Sequence, residues 1–214
     1  MHNIISVTEF SKSKIKIEFD DGDFIVVYKG MINTESKETE DREYDILYKE
    51  MLKYGKKRAM NLLVKKDYGR EELRQKLSDD GFNNNLVNDI IAYLDGFHYL
   101  DDMRIAENVI KSLKKSKSRM QIVFALKKKM FSDELITEAM DEFYKEDCED
   151  IADENEEQNP EVTAILNFLK KSGMTGEKFD SYSYSEKQKF LAKLYRKGFN
   201  TQNINAAIAI LGPD

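Results

Sequence analysis

The sequence predicts a mainly α-helical protein: an elongated tandem array of three three-helix repeats, preceded by a short N-terminal β-hairpin region. Three observations predict it. Apolar residues recur at three- and four-residue steps over most of the chain. An internal repeat is anchored on Phe82, Phe131 and Phe199, and strand-like alternation is confined to the start of the chain. Two prolines and ten glycines in 214 residues are also too few breaks for a many-stranded sandwich or barrel.

At the N-terminus, Lys14-Ile15-Lys16-Ile17-Glu18-Phe19 alternates polar and apolar residues, and Phe24–Tyr28 is rich in β-branched and aromatic ones. Asp21-Gly22 between them is a hairpin signal, so two or three short strands are expected. From about Glu35 the pattern becomes helical, with Tyr44, Leu47, Tyr48, Met51 and Leu52 on one face.

The repeat is read outward from its phenylalanines. After Phe82 come Leu86, Val87, Ile90, Ile91 and Leu94; after Phe131, at the same offsets, Leu135, Ile136, Ala139, Met140 and Phe143. After Phe199 come Asn203, Ile204, Ala207, Ile208 and Leu211, in which Asn203 is the single polar member of the stripe. Before the anchors stand Leu73 and Leu77, Ile122 and Leu126, Phe190 and Leu194. Each phenylalanine therefore joins two amphipathic helices.

The residue before each anchor is Gly81, Met130 or Gly198. Glycine suits a left-handed helix end, and Met130 is expected to leave its helix another way. The residue after is Asn83, Ser132 or Asn200, each a good N-cap, with Val87, Ile136 or Ile204 placed to staple back onto the phenylalanine.

A further helix precedes each pair, over 56–64, Asp102–Leu113 and 161–171. The expected organisation is a β-hairpin plus helix over 1–54, repeats over 55–100 and 101–146, an acidic linker over 147–160, and a third repeat over 161–214. Short repeats of this kind bury their apolar faces on their neighbours, hence the open, curved array.

The net charge of −6 argues against a simple nucleic-acid binder until it is divided along the chain. Residues 1–52 carry −5 and 147–161 carry −8, whereas 53–146 carry +3 and 162–214 carry +4. Between positions 108 and 132 stand Lys111, Lys114, Lys115, Lys117, Arg119, Lys127, Lys128 and Lys129, with no acidic residue. Such a run is either a solvated exterior or a surface for phosphates or an acidic protein face. Arg196 and Lys197 of the third repeat join these as candidate partner- or DNA-binding residues. The acidic run over 146–161 reads as a solvated linker by composition, or as an intramolecular competitor for the basic face.

Catalytic motifs are missing. There is no Gly-rich phosphate loop, and the two histidines are isolated; His98 lies in Phe97-His98-Tyr99-Leu100, which reads as a junction between repeats. Asp101 or Asp102 is expected to cap the following helix rather than to act as an acid or base. Cys148 sits among Glu146, Asp147, Glu149 and Asp150, whose charges disfavour its thiolate. One cysteine excludes an intrachain disulfide and supplies no zinc cluster. Tyr182 and Tyr184 stand off the apolar stripes, where a partner can reach them. With no long apolar stretch and no signal-like N-terminus, the expectation is a cytoplasmic, monomeric binding protein without membrane association, enzymatic activity, cofactor or metal.

The motifs resemble those of the RecX family, regulators of the RecA recombinase. Ala59-x-x-Leu62-Leu63, followed by Tyr68-Gly69-Arg70-Glu71-Glu72-Leu73-x-x-x-Leu77-x-x-x-Gly81-Phe82, is similar to that family's first module. Leu94-x-Gly96-Phe97-x-Tyr99-Leu100-Asp101-Asp102-x-x-Ile105-Ala106 resembles its Gly-Tyr-Leu-Asp-Asp junction. Ser118-Arg119-x-x-Ile122-x-x-x-Leu126-x-x-Lys129 resembles its second module. Glu186-Lys187-Gln188-Lys189, Leu191 and Tyr195-Arg196-Lys197-Gly198-Phe199 resemble its third. Ile105 departs from the usual Phe, Met130 from a common Gly, and Gly69 from a frequent Ser. The resemblance implies a non-catalytic, mainly inhibitory regulator that lies in the helical groove of RecA filaments on single-stranded DNA. It would contact DNA directly or through RecA, and would modulate filament growth, ATPase, strand exchange and co-protease activity in homologous recombination, DNA repair and the SOS response. The alternative is a transcriptional regulator built from helix-turn-helix-like units. That reading calls for a recognition helix with Arg, Asn or Gln aimed at base edges, which the sequence does not display.

Overall fold

The structure, a computed structural model, describes residues 3–31, 41–149 and 159–211. These form two compact units, Met1–Asp101 and Asp102–Asp214. The central part of the acidic run, 150–158, lies outside the described residues.

The first unit begins with an antiparallel meander of β1 (Ile4–Ser11), β2 (Lys14–Phe19) and β3 (Phe24–Tyr28). Gly22, at φ 84°, makes the tight β2–β3 turn that Asp21-Gly22 predicts, and Ile17 faces Ile25 across the ladder. Period-two alternation sends Ile17, Phe19, Ile25 and Val27 into one core with Tyr44, Leu47 and Met51 of α1 (Asp41–Leu63). That helix is a single element, so the 44–52 periodicity and the expected 56–64 helix are parts of one rod. α2 (Arg70–Asp79) and α3 (Asn84–Gly96) complete the module.

The sheet is buried on both sides at β3. Val26, on the face opposite Ile25 and Val27, meets the α2–α3 turn, where a Cβ on Gly81 would stand 2.9 Å from the Phe10 ring and 3.3 Å from Val26 Cβ. Asn83 Nδ2 donates to Asp23 Oδ1 (2.8 Å) and to the Phe24 carbonyl (2.7 Å). Lys14 Nζ donates to the Asp80 carbonyl, and the Tyr44 hydroxyl donates to Asp23 Oδ2 at 2.7 Å. Burial, reinforced by that bond, pushes the Tyr44 phenol well above its ordinary pKa.

The second unit holds two modules. α4 (Asp102–Leu113), α5 (Arg119–Lys127) and α6 (Asp133–Glu149) form one; α7 (Pro160–Lys171), α9 (Tyr184–Arg196) and α10 (Thr201–Ile210) form the other. α4 has the span expected for it, Asp102–Leu113. A short helix, α8 (Gly176–Asp180), occupies the Gly/Ser/Tyr-rich segment of the third repeat and buries Phe179. In every module the first helix packs against the last, around its own apolar cluster.

The three anchor turns share one geometry. Phe82, Phe131 and Phe199 are all buried. Asn83, Ser132 and Asn200 accept from the backbone N–H of Leu86 (2.9 Å), Leu135 (3.2 Å) and Asn203 (2.7 Å), so each caps the following helix. The N–H groups of Phe82 and Phe199 return to the carbonyls of Leu77 and Leu194, closing Schellman ends. The separate exit expected for Met130 is not what the chain does: its φ is 63°, beside 100° at Gly81 and 85° at Gly198. Burial of Phe131 and the Ser132 cap hold that turn, against a left-handed cost of about 1–2 kcal/mol for a residue with a Cβ.

Met130→Gly therefore stabilises the second unit by up to about 1 kcal/mol, the relief of strain exceeding the added entropy of the unfolded chain. Gly198→Ala destabilises it by at least about 1–2 kcal/mol. Denaturant unfolding followed by circular dichroism measures both, and a less stable Met130→Gly variant would contradict the strain.

Candidate partner and nucleic-acid interface

The basic run folds into the end of α4, the 114–118 loop and α5. Ser118 caps α5 through a capping box: its Oγ accepts from Gln121 N–H (3.2 Å), while Gln121 Oε1 accepts from Ser118 N–H (3.4 Å). The third module then closes over this helix start. Ser118 Oγ also donates to the Lys197 carbonyl (2.6 Å), and Asn167 Nδ2 donates to the Lys115 carbonyl (2.8 Å). At Gly198 a Cβ would approach Met120 Cβ to 2.8 Å.

At the centre of this joint is Glu161, only 3% exposed. One carboxylate oxygen accepts from Arg119 N–H (2.9 Å), the first N–H of α5, where the helix dipole favours negative charge. The other accepts from Asn203 Nδ2 (2.6 Å) and Asn200 Nδ2 (3.5 Å). Asn203, the polar exception on the third stripe, is thus a buried partner for a buried carboxylate.

The ten cations expected at an interface have different environments. Lys111 pairs with Glu107 (3.3 Å) and lies over Phe143, as does Lys114. Lys127 pairs with Asp133 (2.8 Å). The Arg119 guanidinium stacks 3.7 Å from the Tyr144 ring centre. Lys129 is half-buried just before Met130. Arg196 donates to its own helix at the Ala192 carbonyl, and Lys197 Nζ lies 4.8 Å from the Phe168 ring centre. Lys115, Lys117 and Lys128 make no ion pair with the described residues, although Lys128 sits over Phe124. The Lys197 backbone is brought to the start of α5; the other candidates from the second repeat follow the chain.

Reading by sequence passed over three features. Met120 and Phe124, off the repeat's stripe, are 57% and 60% exposed and line a groove of about 400 Å³ with Leu113, Lys117, Gln121 and Ala125. Phe124 stands seven residues before its anchor, where the other repeats carry Gln75 and Ala192; that mismatch is its only sequence signal. Lys193 joins Lys197 over Phe168. The Glu161 joint brings together three distant segments, at 119, 161 and 200–203, and has no local pattern. Of the off-stripe tyrosines, Tyr184 is 80% exposed while Tyr182 packs partly against the third core. His98 is exposed, in the left-handed region at φ 55°.

No group of three or more His, Cys, Asp or Glu suited to a metal ion occurs among the described residues, and none of their helices is long and apolar enough to cross a membrane. The fold and this surface define a class: proteins assembled from serial three-helix modules that present a basic helix pair.

Comparison with known proteins narrows the class. The family description "RecX, first three-helix domain" matches residues 56–94. A regulatory protein RecX from Clostridium perfringens is 24% identical over 209 residues, covering 95% of this chain and 92% of the relative. One from a second strain of that species is 30% identical over 146 residues, 68% of this chain and 63% of the relative. With several other curated relatives the chain aligns over about half their length. A crystal structure of regulatory protein RecX superposes with a TM-score of 0.59 over 96% of this chain and 98% of that one, at 15% identity, a likeness of fold. Along its length the chain is similar to regulatory proteins RecX, and residues 56–94 match that family's first three-helix domain.

Removing the carboxylate tests the joint. Glu161→Ala leaves the buried Asn203 amide and the part-buried Arg119 N–H without this acceptor and costs about 2–4 kcal/mol. Glu161→Gln, which keeps one acceptor, costs less. Urea unfolding together with hydrogen exchange at the Arg119 amide reads both; unchanged protection of that amide in Glu161→Ala would show that the carboxylate does not hold it.

Proposed function

We propose that this protein is a non-catalytic regulator, mainly an inhibitor, of RecA. In this reading it binds RecA filaments on single-stranded DNA along their helical groove and restrains filament growth, ATP hydrolysis, strand exchange and co-protease activity. The observation that carries the reading is the α4–α5 surface, with Lys115, Lys117 and Lys128 unpaired among the described residues and no acidic residue between 108 and 132. Similarity to the RecX family supplies the partner, since the resemblance that runs through all three modules implies RecA. A surface of a few unpaired cations on a chain of net charge −6 suits a filament lined by both protein and phosphate better than tight binding to bare DNA.

Substoichiometric protein is expected to slow the DNA-dependent ATPase of the cognate RecA; an unchanged rate across a wide titration would sink the proposal. Replacing Lys115, Lys117 and Lys128 together by alanine should weaken the effect and lower the slope of log affinity against log salt by about 2. Full retention at two salt concentrations would show that this face is not used.

A further inference from the structure

α5 has a buried face and an open one. Ile122 and Leu126 are fully buried in the second module's core, whereas Met120 and Phe124 are exposed, one helical turn apart. One turn beyond Phe124 on this face stands Lys128, and Lys117, in the loop before the Ser118 cap, lines the same groove as Met120 and Phe124. The surface therefore reads Lys117, Met120, Phe124, Lys128: an apolar floor one turn long between two cations. Leu113, Gln121 and Ala125 shape the rest of the groove. The Lys128 ammonium lies 4.7 Å from the Phe124 ring centre.

We propose that this groove is a stacking site for an unpaired base of single-stranded nucleic acid, with Lys117 and Lys128 on the flanking phosphates and Lys115 beside them. The inference rests on the reading of α4–α5 as the face that meets a nucleoprotein filament, and it names what that face recognises. Every base offers a π-face to an exposed aromatic ring, whereas a duplex keeps its bases stacked internally. A site of this kind thus selects single strands without reading sequence.

The geometry favours a base over a peptide. An amphipathic helix laid in a groove needs apolar anchors at i, i+3, i+4 and i+7, across two turns or more. Here the apolar stretch ends in a lysine on each side after a single turn. That alternation of cation, ring and cation is the pattern of single-strand binding surfaces.

Fluorescence anisotropy at low salt tests it with labelled oligothymidylate, an abasic strand of equal length and a duplex. The parent protein is expected to prefer oligothymidylate to the abasic strand. Phe124→Ala should weaken oligothymidylate binding about 10-fold and abasic or duplex binding by less than about 2-fold. Phe124→Trp should retain the preference. Phe124 is largely exposed, so an unchanged thermal transition will confirm that each variant is folded. A parent with no preference for bases, or a Phe124→Ala variant that loses both strands equally or neither, would overturn the proposal. Binding of an acidic peptide that depends on Phe124, without any base preference, would assign the groove to a protein partner and overturn it too. The RecA ATPase assay separates the two readings. Loss of base preference with inhibition retained sinks only the stacking site, whereas intact base preference without inhibition sinks only the RecA assignment.

Discussion

A phenylalanine buried between two helix ends, with a left-handed residue before it and a side-chain cap after it, sets the geometry of all three modules. The left-handed residue reverses the chain within one position, and the cap starts the next helix immediately afterwards. The ring then fills the angle between the two helices. Where the residue is glycine, the turn can also approach a neighbouring element closely. Gly81 does so against Phe10 and Val26 of the sheet, and Gly198 against Ser118 and Met120. Met130 keeps the same backbone despite its Cβ, which shows how strongly the buried ring and the cap determine that conformation.

The turns also distribute function. In the first module the turn is received by the β-sheet through Asn83, Asp23 and Lys14. In the third it is received by the start of α5, where Ser118 serves at once as cap for its own helix and as donor to the Lys197 carbonyl. Glu161 completes that contact. A buried carboxylate is costly unless fully paired, and three donors from α5, α10 and the α9–α10 turn supply the pairing. The second and third modules are thereby fixed around the helix that carries the basic face and the exposed Phe124. An ordered joint of this kind holds a binding surface in one orientation without an extra structural element.

Much of the fold was legible in the sequence because it is written in local patterns. The strands followed from alternation around Asp21-Gly22, the helices from their apolar stripes, and the caps from Asn83, Ser132 and Asn200. α1 was harder to read: nothing in its stripe marks that the 44–52 and 56–64 segments share one axis. α8 is five residues long, shorter than a periodicity can establish. The candidate cations were visible as a run, but their state was not. Lys111 and Lys127 are paired by Glu107 and Asp133, which lie just outside that run and reach it only once the chain is helical.

By itself, then, the amino-acid order determined the class of fold, the three anchors and the location of positive charge. Helix period, capping and turn chemistry act over a few residues, and a linear reading can follow them. Tertiary structure decided that Met130 turns left-handed, that Glu161 and Asn203 are buried together, and that Phe124 faces outward between Lys117 and Lys128. Each of these depends on which surfaces meet across tens of residues. Burial and hydrogen bonding between distant segments there outweigh the preference of any single residue.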